Sequence, residues 1–156
     1  MADSLHYSDS VLIDATPDQV YAAVSDVTRM GEWSPVCKDC WWDDGDSARV
    51  GAHFTGHNVT ADRTWDTRCE VISAEPGVSF GWSVNDGRVF WTYTMAPVDG
   101  ATQLTESWEF TPKGQAFFQE KYGQDAEREV EQRRLTAQQG IPATLAAIKA
   151  SIEREH

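Results

Sequence analysis

The pattern of apolar and polar positions changes character three times along the chain. Residues 5–14 alternate at first through Leu5–Tyr7 and end on the apolar run Val11, Leu12 and Ile13, which predicts a strand. Thr16-Pro17-Asp18-Gln19 then carries the marks of a helix start. Thr16 can cap, Pro17 suits the first helical position, and Gln19 sits three residues after the cap. Val20, Ala23, Val24 and Val27 recur at helical spacing, so this helix buries one face. Gly31 and Pro35 punctuate the next stretch and leave room for one short second helix around residues 28–33.

From Cys37 to Phe110 the pattern is one of strands and turns. Asp44-Gly45-Asp46, Pro76-Gly77, Asn85-Asp86-Gly87 and Asp99-Gly100 are turn signals. Between them, Trp65, Thr67, Cys69 and Val71 share one parity while Asp66, Arg68 and Glu70 share the other. Val78, Phe80, Trp82 and Val84 line one face of the next strand, followed by Trp91, Tyr93 and Met95, then Leu104, Glu106, Trp108 and Phe110. Half-apolar strands joined by tight turns predict an antiparallel meander with one wet face.

The last third reads as helical. Residues 115–134 are charged, with Phe117, Phe118, Tyr122 and Val130 as their large apolar groups, and Gly140-Ile141-Pro142 is expected to break the pattern. Ile141, Leu145, Ile148 and Ile152 then form a stripe that suits a helix over residues 141–154 packed on the concave face of the sheet. The expected order is strand, two short helices, about six strands and a long C-terminal helix. That is an α+β arrangement: a curved antiparallel sheet wrapped around the terminal helix.

Composition narrows the function classes. A chain of 156 residues with 40% apolar content predicts one domain over 1–156, with a charged helical insertion at about 115–139. The net charge of −12 argues against nucleic acid and anionic membranes as partners, because phosphate contacts need a basic face. No stretch approaches the apolar length of a membrane span. Residues 1–7 lack the basic and apolar regions of a secretory signal, and three cysteines cannot close a disulfide set. Together these point to a cytoplasmic protein, a monomer or homodimer. No nucleophile elbow, phosphate loop or His-Glu-x-x-His motif is present, and no cofactor is expected. Seven tryptophans in so short a chain do require an explanation.

Several phrases, taken in order, carry a resemblance. They are Glu32-Trp33-Ser34-Pro35, Val50-Gly51-Ala52-His53-Phe54-Thr55-Gly56-His57-Asn58, Trp91-Thr92-Tyr93-Thr94-Met95-Ala96-Pro97 and Thr105-Glu106-Ser107-Trp108. With the element order, they resemble the START-like (SRPBCC, or helix-grip fold) superfamily in its bacterial polyketide cyclase/dehydrase-like branch. The likeness covers roughly residues 5–113 and 140–155. It implies a deep cavity between sheet and C-terminal helix for hydrophobic small molecules, lipids included. It does not imply one activity, since members include carriers, hormone sensors and cyclases.

One motif invites a different reading. Cys37-x2-Cys40, twelve residues, then His53-x3-His57 satisfies a zinc-finger spacing. The histidines, however, lie in a segment that reads as a strand, where they share a face but stand about 13 Å apart. Zinc needs tetrahedral ligands, so no metal site is expected; the cysteines read as small packed thiols.

The aromatic set is the stronger signal. Trp65, Phe80, Trp82, Trp91, Tyr93 and Trp108 fall on the inward parity of successive strands, and Trp33 follows the first helix. They either fill the core or line an apolar pocket together with Phe54 and Asn58, the latter offering an amide. Glu106 falls between Leu104 and Trp108 on the face that should be buried, where a carboxylate must be paired, hydrogen-bonded or protonated. It is the candidate catalytic residue. It would orient a ligand hydroxyl or act as a general acid/base, unless it pairs with an arginine or a slipped register turns it outward. The expected function is binding of a small hydrophobic, ring-containing ligand. The alternatives are a polyketide-type cyclase, aromatase or dehydratase using cavity acid/base residues, and an interaction or stress protein whose core is filled by side chains.

Overall fold

The structure, a computed structural model, describes residues 3–45 and 47–156; Met1 and Ala2 of the N-terminal segment and Asp46 of the first turn signal lie outside the described residues. Seven strands form one antiparallel sheet: β1 (Leu5–Ile13), β2 (Cys37–Trp42), β3 (His53–Val59), β4 (Thr64–Glu75), β5 (Ser79–Val84), β6 (Val89–Val98) and β7 (Ala101–Phe110). They are ordered β1-β7-β6-β5-β4-β3-β2, a meander whose first strand pairs with the last. Helix α1 (Pro17–Val24) and a short 3-10 helix (Val27–Glu32) link β1 to β2. Helices α2 (Pro112–Tyr122) and α3 (Ala126–Glu155) come after the sheet. This is the curved sheet and long terminal helix of a helix-grip fold.

Local chemistry sets the element ends. The Thr16 hydroxyl accepts from the Gln19 amide at 3.2 Å while the Gln19 side chain accepts from the Thr16 amide at 2.9 Å, a closed capping box. Helix α2 has only half of this device: the Thr111 hydroxyl accepts from the Gly114 amide, and Pro112 occupies the first turn. Between β6 and β7, Asp99 and Gly100 both take positive φ, 49° and 82°, in a two-residue hairpin closed by the Val98–Ala101 pair. Val78 departs from the expected pattern. It precedes β5, in the Pro76-Gly77 turn, and is exposed.

The largest departure is in the C-terminal third. Gly140-Ile141-Pro142 does not interrupt the chain; α3 runs 30 residues through it. Proline lacks the N–H that would bond back to the Gln138 carbonyl, and such a loss normally costs about 3 kcal/mol. Here both residues are on the exposed side, where water reaches that carbonyl, while Ala137, Ile141, Leu145, Ile148 and Ile152 bury one continuous face. Lys149 donates to the Leu12 carbonyl at 2.7 Å and Glu153 accepts from the Asp14 amide at 2.9 Å, fastening the helix end to the end of β1. The charged segment 115–139 thus forms α2 and the first half of α3. None of the helices among the described residues is long and apolar enough to cross a membrane.

Strand β2 carries a bulge. Cys37 opposes Asn58 but Asp39 opposes His57, so β2 holds one residue more than β3 across this stretch. Residues three apart in a regular strand point to opposite faces. The extra residue returns Cys37 and Cys40 to the same, concave side. The 3-10 helix presses on the bulge through Gly31, where a Cβ would collide with the Lys38 carbonyl.

Gly31→Ala is therefore expected to destabilise the protein by about 2–3 kcal/mol, because backbone on both sides must move. Gly56→Ala, whose Cβ would meet only Thr67 Oγ1 at 3.2 Å and two thiols at 3.5 Å, is expected to cost under about 1 kcal/mol. Urea unfolding of the two variants checks this; equal stabilities would contradict the close approach at Gly31.

Candidate ligand-binding cavity

The sheet curves away from the first half of α3 and leaves a cavity of about 300 Å³ between them. Its floor is the concave face of β3 to β7. The inward residues of β3 contribute Phe54, Gly56 and Asn58, and those of β4 contribute Trp65, Thr67 and Cys69. Strands β5, β6 and β7 add Trp82, Trp91, Tyr93, Glu106, Trp108 and Phe110. The roof is Phe117 and Phe118 of α2 with Ile141 and Thr144 of α3. Met30, Pro35 and the Cys37–Cys40 bulge close one side.

Of the residues expected at the site, Phe54, Asn58, Trp65, Trp82, Trp91, Tyr93, Glu106 and Trp108 come together around this space. Trp33 and Phe80 do not. Trp33 is buried beneath the Arg29 guanidinium, whose Cζ lies 4.9 Å from the ring centroid, and its indole N–H has no partner. Phe80 is fully buried beside Trp82, at a centroid distance of 5.7 Å, and fills core outside the cavity. Parity placed Phe80 inward correctly but could not say which inward positions lie under the seated part of α3, and Trp33, at the end of the 3-10 helix, lies outside any strand. A chain of edge and tilted contacts, Trp42–Phe54–Trp82–Tyr93, fixes the floor rings at 5.7–5.9 Å spacing.

Glu106 is the buried acid at the base. It is 5% exposed, its Oε1 has no hydrogen-bond partner, and no cation pairs with it among the described residues. Burial pushes its carboxyl up to about 8, and a hydrogen bond with Tyr93, its cross-strand partner, offsets this only in part. The carboxyl is thus protonated at neutral pH. Tyr93 is raised well above the usual phenol value by burial and by Glu106. Asn58 spends its amide N–H groups on the Trp65 carbonyl (3.2 Å), Thr67 Oγ1 (3.3 Å) and the Gly56 carbonyl (3.4 Å). These bonds hold β3 to β4.

The cysteines and histidines of the finger-like spacing part company. Cys37 and Cys40 face the cavity with their Sγ atoms 3.1 Å apart. His53 and His57 point to the convex face, where His53 meets Asp44 at 3.3 Å and His57 meets Asp66 at 2.6 Å. The sheet lies between the two pairs. The third cysteine, Cys69, is pushed up to about 12 by burial, a thiol without thiolate character.

Sequence reading missed the roof and the rim. Phe118 and Tyr122 stand four apart on α2, their rings 5.1 Å apart, a spacing that signalled one helical face but not what it covers. Arg63, Arg88, Lys121 and Arg133 also border the cavity, from four separate elements, and no local pattern joins them.

A family model described as polyketide cyclase/dehydrase and lipid transport matches residues 4–148. A polyketide-cyclase-like protein from Corynebacterium glutamicum, solved by solution NMR, is 59% identical, with 99% of this chain and 95% of that one covered and a TM-score of 0.73. The Zhui aromatase/cyclase from Streptomyces sp. R1128 is 17% identical over 97% of this chain and 95% of its own, with a TM-score of 0.75. A major latex-like protein from Panax ginseng is 11% identical over 70% and 80%, with a TM-score of 0.58. These last two share the fold. No curated protein matches. With a match that runs from β1 into the seated part of α3, and a close bacterial relative of the same kind, the chain belongs to the polyketide cyclase/dehydrase and lipid transport family.

Proposed function

We propose that the cavity binds one small hydrophobic, ring-containing molecule. Its rings lie on the indoles of Trp65, Trp82, Trp91 and Trp108, and Glu106 with Tyr93 fixes its orientation. The observation that carries this reading is a buried carboxyl, one oxygen of which has no partner, at the base of a chamber walled by tryptophans. A polar atom left without a partner costs about 1–3 kcal/mol, a cost that a ligand hydroxyl or amine removes. Flat aromatic walls suit flat aromatic ligands. The space of about 300 Å³ also weighs against a core filled by its own side chains. On this reading residues 1–156 act as one START-like unit, with 115–139 serving as roof.

A second reading is catalytic. A carboxyl still protonated at neutral pH, beside a phenol, has what a general acid needs for cyclising or dehydrating a polyketide-like substrate. Turnover lost in Glu106→Gln with product binding kept would favour it.

Displacement of N-phenyl-1-naphthylamine by 2-naphthol and by 2-methylnaphthalene tests the binding reading. The naphthol is expected to bind about 5–20-fold tighter, and Glu106→Leu to abolish that preference. Equal affinities in the wild-type protein would remove Glu106 from the contact, and no saturable binding of any probe would end the cavity reading.

Stability should also depend on pH through this residue. The folded value near 8 exceeds the ordinary 4.5, so between these the native state holds one proton more than the unfolded chain. The contribution is complete below about pH 4.5 and is lost as pH rises through about 8. Glu106→Gln is expected to melt near the wild-type temperature at low pH and several degrees above it at alkaline pH. Parallel melting curves across that range would place Glu106 in water.

A further inference from the structure

The charge around the cavity is opposite to that of the protein. The chain carries 25 acidic and 13 basic residues. Yet Glu106 is the one carboxyl lining the cavity among the described residues, and Arg63, Arg88, Lys121 and Arg133 line it as well. They come from the β3–β4 turn, the turn before β6, the end of α2 and the first half of α3. Arg63 and Lys121 are exposed, so this is where the cavity meets solvent.

Each cation rests on an aromatic ring of the cavity or its rim. Arg63 Cζ lies 4.1 Å from the Trp65 centroid, Arg88 Cζ 3.6 Å from Phe117, Arg133 Cζ 5.2 Å from Phe118 and Lys121 Nζ 5.3 Å from Tyr122. Arg133 has a carboxylate partner, Glu129 at 3.4 Å, but Arg63, Arg88 and Lys121 form no ion pair among the described residues. Burial raises the Tyr122 phenol, yet Arg63, Lys121 and Arg133 together bring it below its usual value. A low-dielectric pocket ringed by one sign of charge concentrates the field at its opening.

We propose that the ligand is a hydrophobic acid, its apolar body against the indoles and its oxyanion, a carboxylate or a phosphate, held at the rim by Arg63, Arg88 and Lys121. This rests on the reading of the cavity as a ligand site. The ligand would then be bipolar in its demands: a hydroxyl or amine at the Glu106 end, an anion at the solvent end. Guanidinium groups suit either oxyanion by forked hydrogen bonding.

Displacement of N-phenyl-1-naphthylamine by 2-naphthoate, 2-naphthyl phosphate and neutral 2-naphthamide tests it. At low salt the better anion is expected to bind at least about fivefold tighter than the amide, an advantage that shrinks as salt is added. Which anion leads distinguishes carboxylate from phosphate. Arg63→Gln/Lys121→Gln removes two exposed cations and should leave the fold intact. In that variant, which keeps Arg88, the anion's advantage is expected to fall at least about twofold while the affinity for the amide stays within about twofold. Three equal affinities in the wild-type protein, or an advantage left undiminished by the double substitution, would overturn the proposal. Failure of all three to displace the probe would instead overturn the cavity reading beneath it.

Discussion

The architecture depends on where α3 touches the sheet and where it does not. Leu145, Ile148 and Ile152 are buried in the core and seat the C-terminal half of the helix beside β1 and β7. N-terminal to Leu145, the inward residues Arg133, Thr136, Gly140, Ile141 and Thr144 face the cavity instead. Close packing is the rule in protein interiors, so a void of this size persists only where rigid elements hold its walls apart. The seated half of α3 is one such element. The other is the roof, where Phe110 and Phe118 meet edge to face at 5.0 Å and keep α2 over the open end of the sheet.

That arrangement explains why Glu106 can remain buried with no cation beside it. An isolated carboxylate in a packed core would be strongly disfavoured, and a carboxylic acid with one phenol beside it much less so. Cross-strand register puts Tyr93 directly opposite Glu106, and the two are flanked by Trp108 and Trp91, themselves register partners. The polar pair is therefore built into the β6–β7 ladder rather than carried on a loop. Its position is as fixed as the sheet.

How much could be read from the sequence depends on the range of the interaction involved. The capping box at Thr16 and Gln19 and the hairpin at Asp99-Gly100 are local chemistry, written in adjacent letters. Glu106 was legible because period-two alternation is strict in β7, from Leu104 to Phe110. The Cys37–Cys40 pair defeats the same rule, because a bulge adds one residue and reverses the parity beyond it. The continuity of α3 was hidden because the cost of Pro142 is local, whereas the apolar face that offsets it spans Ala137 to Ile152. Phe80 differs from Trp82 and Trp91 only in what lies above it, which no single strand records, and Trp33, at the end of the 3-10 helix, has no strand parity to place it. The basic rim was invisible for a similar reason: its members stand up to 70 residues apart and meet only through the turns and the helix roof.

Pro142 has one further consequence. It falls between Ile141, which lines the cavity, and Leu145, which anchors the helix. An α-helix resists bending through its ladder of backbone bonds, and here one rung is absent close to where α3 passes from cavity wall to anchor. Side-chain packing along the stripe from Ala137 to Ile152, rather than backbone bonding, therefore keeps the two halves in line at that point.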